Sequence, residues 1–176
     1  MNKYLIVVDV QKDFVDGALG TTEARAIIPR VKEKIAECSV NDGKVIFTRD
    51  THRKNYLKTN EGKHLPVEHC IKGSDGWQIH DAIVYEGLVD ENAVVIDKPT
   101  FGYLGWRRHI ENSADLEIEL VGLCTDICVI SNALILKAMF PEAVIKVDST
   151  ACAGVTPESH NAALATMKMC QIEVCE

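Results

Sequence analysis

The sequence predicts an α/β fold of three layers, Rossmann-like, in which a doubly wound parallel sheet of about six strands carries helices on both faces. Continuous apolar runs such as residues 5–8 recur along the chain, and runs of this kind are typical of strands buried in a parallel sheet. Amphipathic helical patterns separate several of these runs. The length of 176 residues is that of one domain, so a single domain is predicted over residues 1–176.

The strands are predicted from apolar runs that end at a turn or a polar residue. They lie at residues 4–9, 44–48, 93–97, 116–121, 143–147 and 171–175. Helices are predicted at about residues 22–39, 78–85, 106–111, 125–140 and 157–169. Thr22 is the predicted cap of the first helix, and Thr156 followed by Pro157 opens the last one. Loops are predicted at residues 10–20, 53–77 and 148–156.

The composition favours a cytoplasmic protein that binds neither nucleic acid nor membrane. A net charge of −7 argues against binding to a phosphate backbone. The cysteines number seven, and their spacings do not form a disulfide framework, which indicates reduced thiols. The apolar run after Met1 is about seven residues long, which is too short for a signal peptide core or a membrane span.

The stretch around Cys128 has the pattern of a catalytic nucleophile. A buried strand ends at Gly122, and Cys128 follows at the start of a helical pattern. Backbone N–H groups at a helix start are unpaired, and the helix dipole there favours a thiolate over a thiol. The same N–H groups would stabilise an oxyanion. The alternative is a buried structural cysteine that acts only as a small hydrophobic residue.

Three reactive residues follow three of the predicted strands. Asp9 closes the first strand, Lys98 follows the third and Cys128 follows the fourth. Because the carboxyl ends of parallel strands lie on one side of the sheet, these side chains can converge. A cysteine nucleophile needs a cation to hold the thiolate and a base to move its proton, which Lys98 and Asp9 supply. Taken singly, each has an alternative role as a loop cap, a solvated charge or a core residue.

The predicted loop at residues 53–77 is long for a compact domain, and loops of this length are usually functional or disordered. His52 precedes it, and Glu61, His64 and His69 lie within it. These metal-binding side-chain types favour a functional loop. Without a metal, His64 and His69 would be ordinary loop residues.

Five segments, taken together in their order and spacing, resemble those of a known enzyme family. They are Asp9 with Gln11, Asp13 and Phe14; Thr48-Arg-Asp-Thr-His52; Lys98-Pro-Thr-Phe101; Gly122-Leu-Cys-Thr-Asp-Ile-Cys128; and Asp148-Ser-Thr-Ala151. The chain resembles the isochorismatase-like cysteine hydrolases, and among them the nicotinamidases, over nearly its whole length. The resemblance implies an isochorismatase-like fold for the domain.

The resemblance implies a catalytic triad of Asp9, Lys98 and Cys128. Asp9 would take the thiol proton and pass it to departing ammonia, while Lys98 would help to hold the thiolate. Cys128 would attack an amide carbonyl and leave an acyl-enzyme for water to hydrolyse. The family also implies a cis peptide bond between Leu123 and Cys124, which would direct the N–H groups of Cys124 and Cys128 at the oxyanion.

The resemblance further implies a divalent metal ion beside the triad, which the pyridine nitrogen of the substrate would ligate. Asp50 and His52 match that site, and Glu61 and His69 are the predicted remaining ligands, with His64 as the alternative. A mixed set of histidine and carboxylate ligands with open positions suits Zn²⁺, Fe²⁺ or Mn²⁺.

The walls of a pocket for a flat aromatic substrate are predicted at Phe14, Tyr103 and Trp106, and core packing is the alternative for Trp106. The implied reaction is hydrolysis of nicotinamide to nicotinate and ammonia in NAD salvage, with pyrazinamide as a related substrate. The implied assembly is a homo-oligomer. One alternative is a metal-free amidase of the same family that acts on carbamoyl or ureido substrates. Another is a non-catalytic, flavodoxin-like binding module without convergence of the three reactive residues.

Overall fold

The described part of the chain, residues 2–84 and 93–176 of a computed structural model, contains one parallel sheet. Its strands are β1 (Asn2–Val8), β2 (Lys44–Asp50), β3 (Val94–Lys98), β4 (Leu116–Leu123), β5 (Val144–Ala153) and β6 (Glu173–Cys175). They are ordered β3-β2-β1-β4-β5-β6, and each neighbouring pair is parallel. The predicted fold class is therefore confirmed.

Helices cover both faces of the sheet. They are α1 (Lys12–Val15), α2 (Thr22–Ala26), α3 (Ile28–Val40), α4 (Asn60–His64), α5 (Asp81–Val84), α6 (Ile130–Met139) and α7 (Pro157–Met169). Alternate side chains of β1 enter two separate cores. Leu5 and Val7 pack on the side that contains α2 and α3, whereas Ile6 and Val8 pack on the side that contains α6 and α7. Burial on both faces explains the continuous apolar run of β1.

The strand order reverses beside β1, which pairs with β2 on one side and with β4 on the other. Ligands in open α/β sheets bind where the order reverses, outside the carboxyl ends of the strands. Asp9 follows β1 directly, and the turn at Thr125–Val129 follows β4. The topology therefore brings Asp9 and Cys128 to the same crevice.

The predicted loop at residues 148–156 is wrong in its first part, because β5 continues to Ala153. The register between β4 and β5 shifts there, and pairing resumes at Gly122 with Cys152. A carboxylate oxygen of Asp148 accepts hydrogen bonds from the backbone N–H groups of Thr150 and Ala151 at 2.9 and 3.1 Å. The Asp148 side chain thus pairs with backbone N–H groups where the register shifts. Because this part of the strand is polar, its sequence is easily interpreted as a loop.

Two of the predicted helices begin differently in the structure. The predicted helix at residues 22–39 is divided into α2 and α3, and its cap is Thr21 rather than Thr22, because the Thr21 hydroxyl accepts a hydrogen bond from Ala24 N–H. Pro29 lies in the first turn of α3, where its missing N–H costs nothing. The predicted helix at residues 125–140 begins with a π-helical turn, Thr125–Val129.

Shorter elements also depart from the prediction. The predicted loops at 10–20 and 53–77 contain α1, α4 and a 3₁₀ turn at Tyr56–Lys58. The predicted helix at 106–111 is a 3₁₀ turn, Trp106–Arg108. The predicted helix at 78–85 is the single turn α5, and its last predicted residue lies outside the described residues. In the described ranges, no helix combines the length and apolar character that a bilayer crossing requires.

Candidate active site

Asp9, Lys98 and Cys128 lie together at the carboxyl edge of the sheet. The Lys98 ammonium is 2.5 Å from Asp9 Oδ2 and 3.4 Å from Cys128 Sγ. All three residues are buried. The structure thus brings an acid, an amine and a thiol into direct contact, although they are far apart in the sequence.

Asp9 is held by β2 on its other side. The Thr48 hydroxyl donates a hydrogen bond of 2.6 Å to Asp9 Oδ1, and Asp9 N–H bonds to the Thr48 carbonyl at 3.2 Å. The backbone φ of Asp9 is +49°, a left-handed conformation that is uncommon outside glycine and is found at functional sites. Burial raises the pKa of Asp9 above its ordinary value, and the Lys98 charge opposes this effect. The carboxylate is therefore a stronger base than an exposed aspartate.

Lys98 is fully buried, at the end of β3. Burial alone would lower the pKa of its ammonium group, but Asp9, Cys128 and Asp50 outweigh that effect and raise the pKa. Lys98 therefore remains charged at neutral pH. Its Nζ is also 3.8 Å from Asp50 Oδ1 and donates to the Thr100 carbonyl at 3.3 Å.

The environment of Cys128 opposes the thiolate that the sequence analysis expects. Burial raises the pKa of the thiol well above its ordinary value, the Asp9 carboxylate acts in the same direction, and Lys98 acts against both. The helix-dipole argument fails because Cys128 lies within the π-helical turn and is only 4% exposed, so loss of solvation dominates. Burial and the Asp9 charge therefore favour the thiol form of Cys128.

The turn before Cys128 requires an unusual backbone. Gly122 has a φ of +113°, and a side chain there would collide with the carbonyl oxygen of Val8 on the neighbouring strand. The peptide bond between Leu123 and Cys124 is cis, as the resemblance implies. These features lead the chain from β4 into the turn that carries Cys128.

Four of the predicted metal ligands form a cluster next to Lys98. Asp50, His52, Glu61 and His69 each offer a ligand atom, and these atoms all lie within 4.8 Å of one another. His52 Nε2 and Asp50 Oδ1 are buried without a hydrogen-bond partner, even though His52 Nε2 is 2.7 Å from Asp50 Oδ2. Such close, poorly paired donor atoms fit a divalent cation. The alternative ligand, His64, lies outside the cluster and is exposed, with Nδ1 at 2.8 Å from the Asn60 carbonyl.

Electrostatics prepare Asp50 to bind a cation. Burial acts to raise the pKa of its carboxyl group, but the close imidazole groups of His52 and His69 and the charge of Lys98 outweigh burial and lower the pKa. A metal ligand must be deprotonated, and this carboxylate is.

Two residues of the segment after β1 form hydrogen bonds with the backbone of the chain segments that carry the cluster. The Gln11 side chain accepts a hydrogen bond from Asp50 N–H at 2.7 Å and donates one to the Asp50 carbonyl at 2.9 Å. Asp13 Oδ2 accepts a hydrogen bond of 2.7 Å from the N–H of Cys70, which follows His69. The sequence analysis noted Gln11 and Asp13 only as parts of a motif. Their spacing of two and four residues from Asp9 was the only signal in the sequence that could have indicated these roles.

A cavity of about 820 Å³ opens onto Cys128 and the ligand cluster. Phe14 lines it, as predicted, together with further apolar side chains that include Leu65, Phe101 and Ile127. Tyr103 and Trp106 do not appear among the described residues that line it, so that part of the prediction is corrected. Trp106 is fully buried in the core on the α6 side, where its ring meets that of Tyr103 edge to face.

Comparison with known proteins agrees with the geometry. The chain is 28% identical over 192 residues to the nicotinamidase/pyrazinamidase of Mycobacterium tuberculosis, covering 97% of this chain and 96% of the relative. The nicotinamidase of Bacillus subtilis superposes with a TM-score of 0.82 at 27% identity, with 100% of both chains covered. The pyrazinamidase of Pyrococcus horikoshii, solved in complex with zinc, gives 0.81 at 27% identity over 100% of this chain and 99% of that one. A family model described as isochorismatase domain matches residues 3–176, and the chain therefore belongs to the isochorismatase family.

Proposed function

We propose that this protein is a cysteine amidohydrolase that converts nicotinamide to nicotinate and ammonia, as a step in NAD salvage. The observation that carries the proposal is the contact of buried Lys98 with both Asp9 and Cys128, beside a four-residue ligand cluster. Cys128 and the four members of that cluster line one cavity. The names of the relatives support the same substrate, since the similar proteins of M. tuberculosis, Schizosaccharomyces pombe and Saccharomyces cerevisiae are nicotinamidases.

In the first step Asp9 removes the proton from the Cys128 thiol as sulfur attacks the amide carbonyl carbon. The raised pKa of Asp9 makes proton transfer to it easier than to an ordinary aspartate. The Lys98 ammonium, 3.4 Å from the sulfur, stabilises the negative charge that develops there. The backbone N–H groups of Cys124 and Cys128 are the proposed donors to the oxyanion.

In the second step the tetrahedral intermediate collapses, the carbon–nitrogen bond breaks, and the proton held by Asp9 passes to the departing ammonia. A thioester between Cys128 and the acyl group remains. Asp9, again a carboxylate, then accepts a proton from the water that attacks the thioester. Collapse of the second intermediate breaks the carbon–sulfur bond and releases the acid, and Asp9 returns the proton to the sulfur to restore the thiol.

Asp50, His52, Glu61 and His69 are the proposed holders of a divalent metal ion, with zinc as the first candidate and Fe²⁺ or Mn²⁺ as alternatives. When bound, this ion would supply an open ligand position for the ring nitrogen of a pyridine carboxamide. The residues of the cluster orient the substrate, so that its amide group lies toward Cys128 and its ring toward Phe14.

The two rival functions are less well supported. A non-catalytic module does not require the contacts among Asp9, Lys98 and Cys128. A metal-free amidase for ureido substrates does not require the four-residue cluster. We also propose a cytoplasmic location, because the seven cysteines are free thiols. The homo-oligomer stays a prediction from the resemblance.

The function is tested by measuring ammonia release from nicotinamide, pyrazinamide, benzamide and a ureido acid, each with and without a chelator. We expect nicotinamide and pyrazinamide to be hydrolysed, benzamide to be a poor substrate because it lacks the ring nitrogen, and chelation to suppress the activity. Preferential hydrolysis of the ureido acid, unaffected by the chelator, would establish the metal-free alternative instead.

Replacing both Asp50 and His52 with alanine is expected to remove the metal. Two of four ligands are lost, and we expect metal content by elemental analysis to fall to background and nicotinamide turnover to fall by about 100-fold or more. The matched control is His64→Ala, since that histidine lies outside the cluster. It should leave the metal content unaltered. An unchanged metal content in the double variant would rule out the site.

A further inference from the structure

We propose that His160 is a positioning residue, which holds the turn that carries Cys128 through the hydroxyl group of Thr125. The inference rests on the proposed role of Cys128 as the nucleophile. It concerns a residue that belongs to none of the segments on which the family resemblance rests.

The turn that carries Cys128 is weakly determined by its own backbone. Residues Thr125–Val129 form a single π-helical turn, in which the carbonyl group of Cys124 accepts hydrogen bonds from both Ile127 N–H at 3.1 Å and Val129 N–H at 3.0 Å. π-helical turns are rare, and they occur mostly as short insertions at functional sites. Side-chain contacts are therefore needed to fix where this turn lies.

Two side chains at the start of the turn supply such contacts. Thr125 is fully buried, and its hydroxyl oxygen lies 2.8 Å from His160 Nδ1. The next residue, Asp126, accepts the backbone N–H of Val155 with both carboxylate oxygens, at 3.1 and 3.2 Å. Val155 lies between β5 and α7, and His160 lies in the first turn of α7. The turn is thus anchored to one neighbouring segment at two successive residues.

The segment that holds the turn, residues 154–160, is itself fixed by local hydrogen bonds and close packing. Helix α7 begins with a capping box in which Thr156 and Ser159 exchange hydrogen bonds of 3.1 Å, and Pro157 occupies its first turn. His160 packs so closely on Gly154 that a Cβ added to Gly154 would be 2.9 Å from that of His160. This fit fixes the imidazole against the strand end from which it reaches Thr125.

The imidazole is suited to a hydroxyl partner. Burial lowers the pKa of His160, and the charge of Asp126, the titratable group that faces it, opposes this effect. A neutral ring has one donor and one acceptor nitrogen, so it can pair with the Thr125 hydroxyl in either sense. His160 does not line the cavity, and it therefore acts through Thr125 rather than on the substrate.

The test uses paired variants that keep or remove the hydrogen bond. Thr125→Val and His160→Ala remove it, whereas Thr125→Ser keeps the hydroxyl and His160→Asn keeps a polar atom at the same position along the side chain. We expect the first pair to lower kcat about tenfold with KM nearly constant, and the second pair to stay within about threefold of the wild type. The Thr125→Val/His160→Ala double variant should be no worse than either single variant, because the same bond is lost once.

The rate of Cys128 alkylation by iodoacetamide, followed by mass spectrometry of the peptide that contains it, provides a readout without substrate. We expect it to fall in parallel with kcat, because a displaced sulfur loses its contacts with Lys98 and Asp9. The proposal would be overturned if kcat fell equally in Thr125→Ser and Thr125→Val, or if the losses of kcat were additive in the double variant. A change confined to KM would overturn it as well. Failure of the wild type to hydrolyse nicotinamide would refute the proposed substrate, while the alkylation rates would still test the anchor.

Discussion

Cys128→Ala is expected to abolish ammonia release from nicotinamide, with a loss of about 10⁴-fold or more in turnover. Lys98 is charged and Asp9 is engaged by Thr48 and Lys98, so neither side chain of the triad can take over as the nucleophile. The fold should be retained, because alanine is tolerated by the turn and the lost side chain is small. Activity is measured by coupled ammonia detection, and folding by thermal denaturation.

The control for this variant is Cys152→Ala. Cys152 is also a free thiol that is 4% exposed, but it lies in β5 and does not line the cavity. Loss of a buried thiol should cost a similar, small amount of stability in both variants. Only the Cys128 variant should lose turnover, and retained ammonia release in that variant would reject the nucleophile.

Lys98→Met is expected to damage both stability and catalysis. Removing the buried ammonium leaves the Asp9 carboxylate without its cation in a buried site, which costs about 3–5 kcal/mol of unfolding free energy. The deficit should shrink on acidification, because the pKa of Asp9, already raised by burial, rises further without Lys98 and protonation then removes the unpaired charge. Turnover should fall by about 10²- to 10³-fold, since the developing thiolate loses its cation.

Lys72→Met is the matched control. Lys72 forms an ion pair of 3.1 Å with Asp97, but its side chain is 63% exposed. Exposed ion pairs contribute about 0–1 kcal/mol, so this variant should unfold nearly as the wild type does. Denaturant titration at two pH values distinguishes the two lysines, and an equal effect of both substitutions would contradict the buried role of Lys98.

The fold was predictable because burial on both faces leaves a direct trace in the sequence. The continuous apolar run of β1 indicates a central parallel strand, and from this it follows that Asp9, Lys98 and Cys128 end on the same edge. The part of β5 after Val147 was not predictable in this way. Its backbone is satisfied by the side chain of Asp148, and such local hydrogen bonds have no periodicity.

The environments of the side chains were harder to predict from the sequence than their positions in the fold. The charge state of Cys128 depends on burial and on the balance between Asp9 and Lys98, which no local pattern encodes. Trp106 illustrates the same limit, because an aromatic residue near a predicted site has equal reason to fill the core. The contact of His160 with Thr125 joins residues 35 positions apart, and neither has a sequence signal that indicates the other.

The most direct test of the mechanism is rapid acid quenching during turnover of nicotinamide, followed by peptide mass spectrometry. A nicotinoyl thioester on the peptide that contains Cys128, formed and lost at rates compatible with kcat, is the expected result. Ammonia release at the full rate with no acyl group on Cys128 at any time, or with the acyl group on another residue, would contradict covalent catalysis by this cysteine.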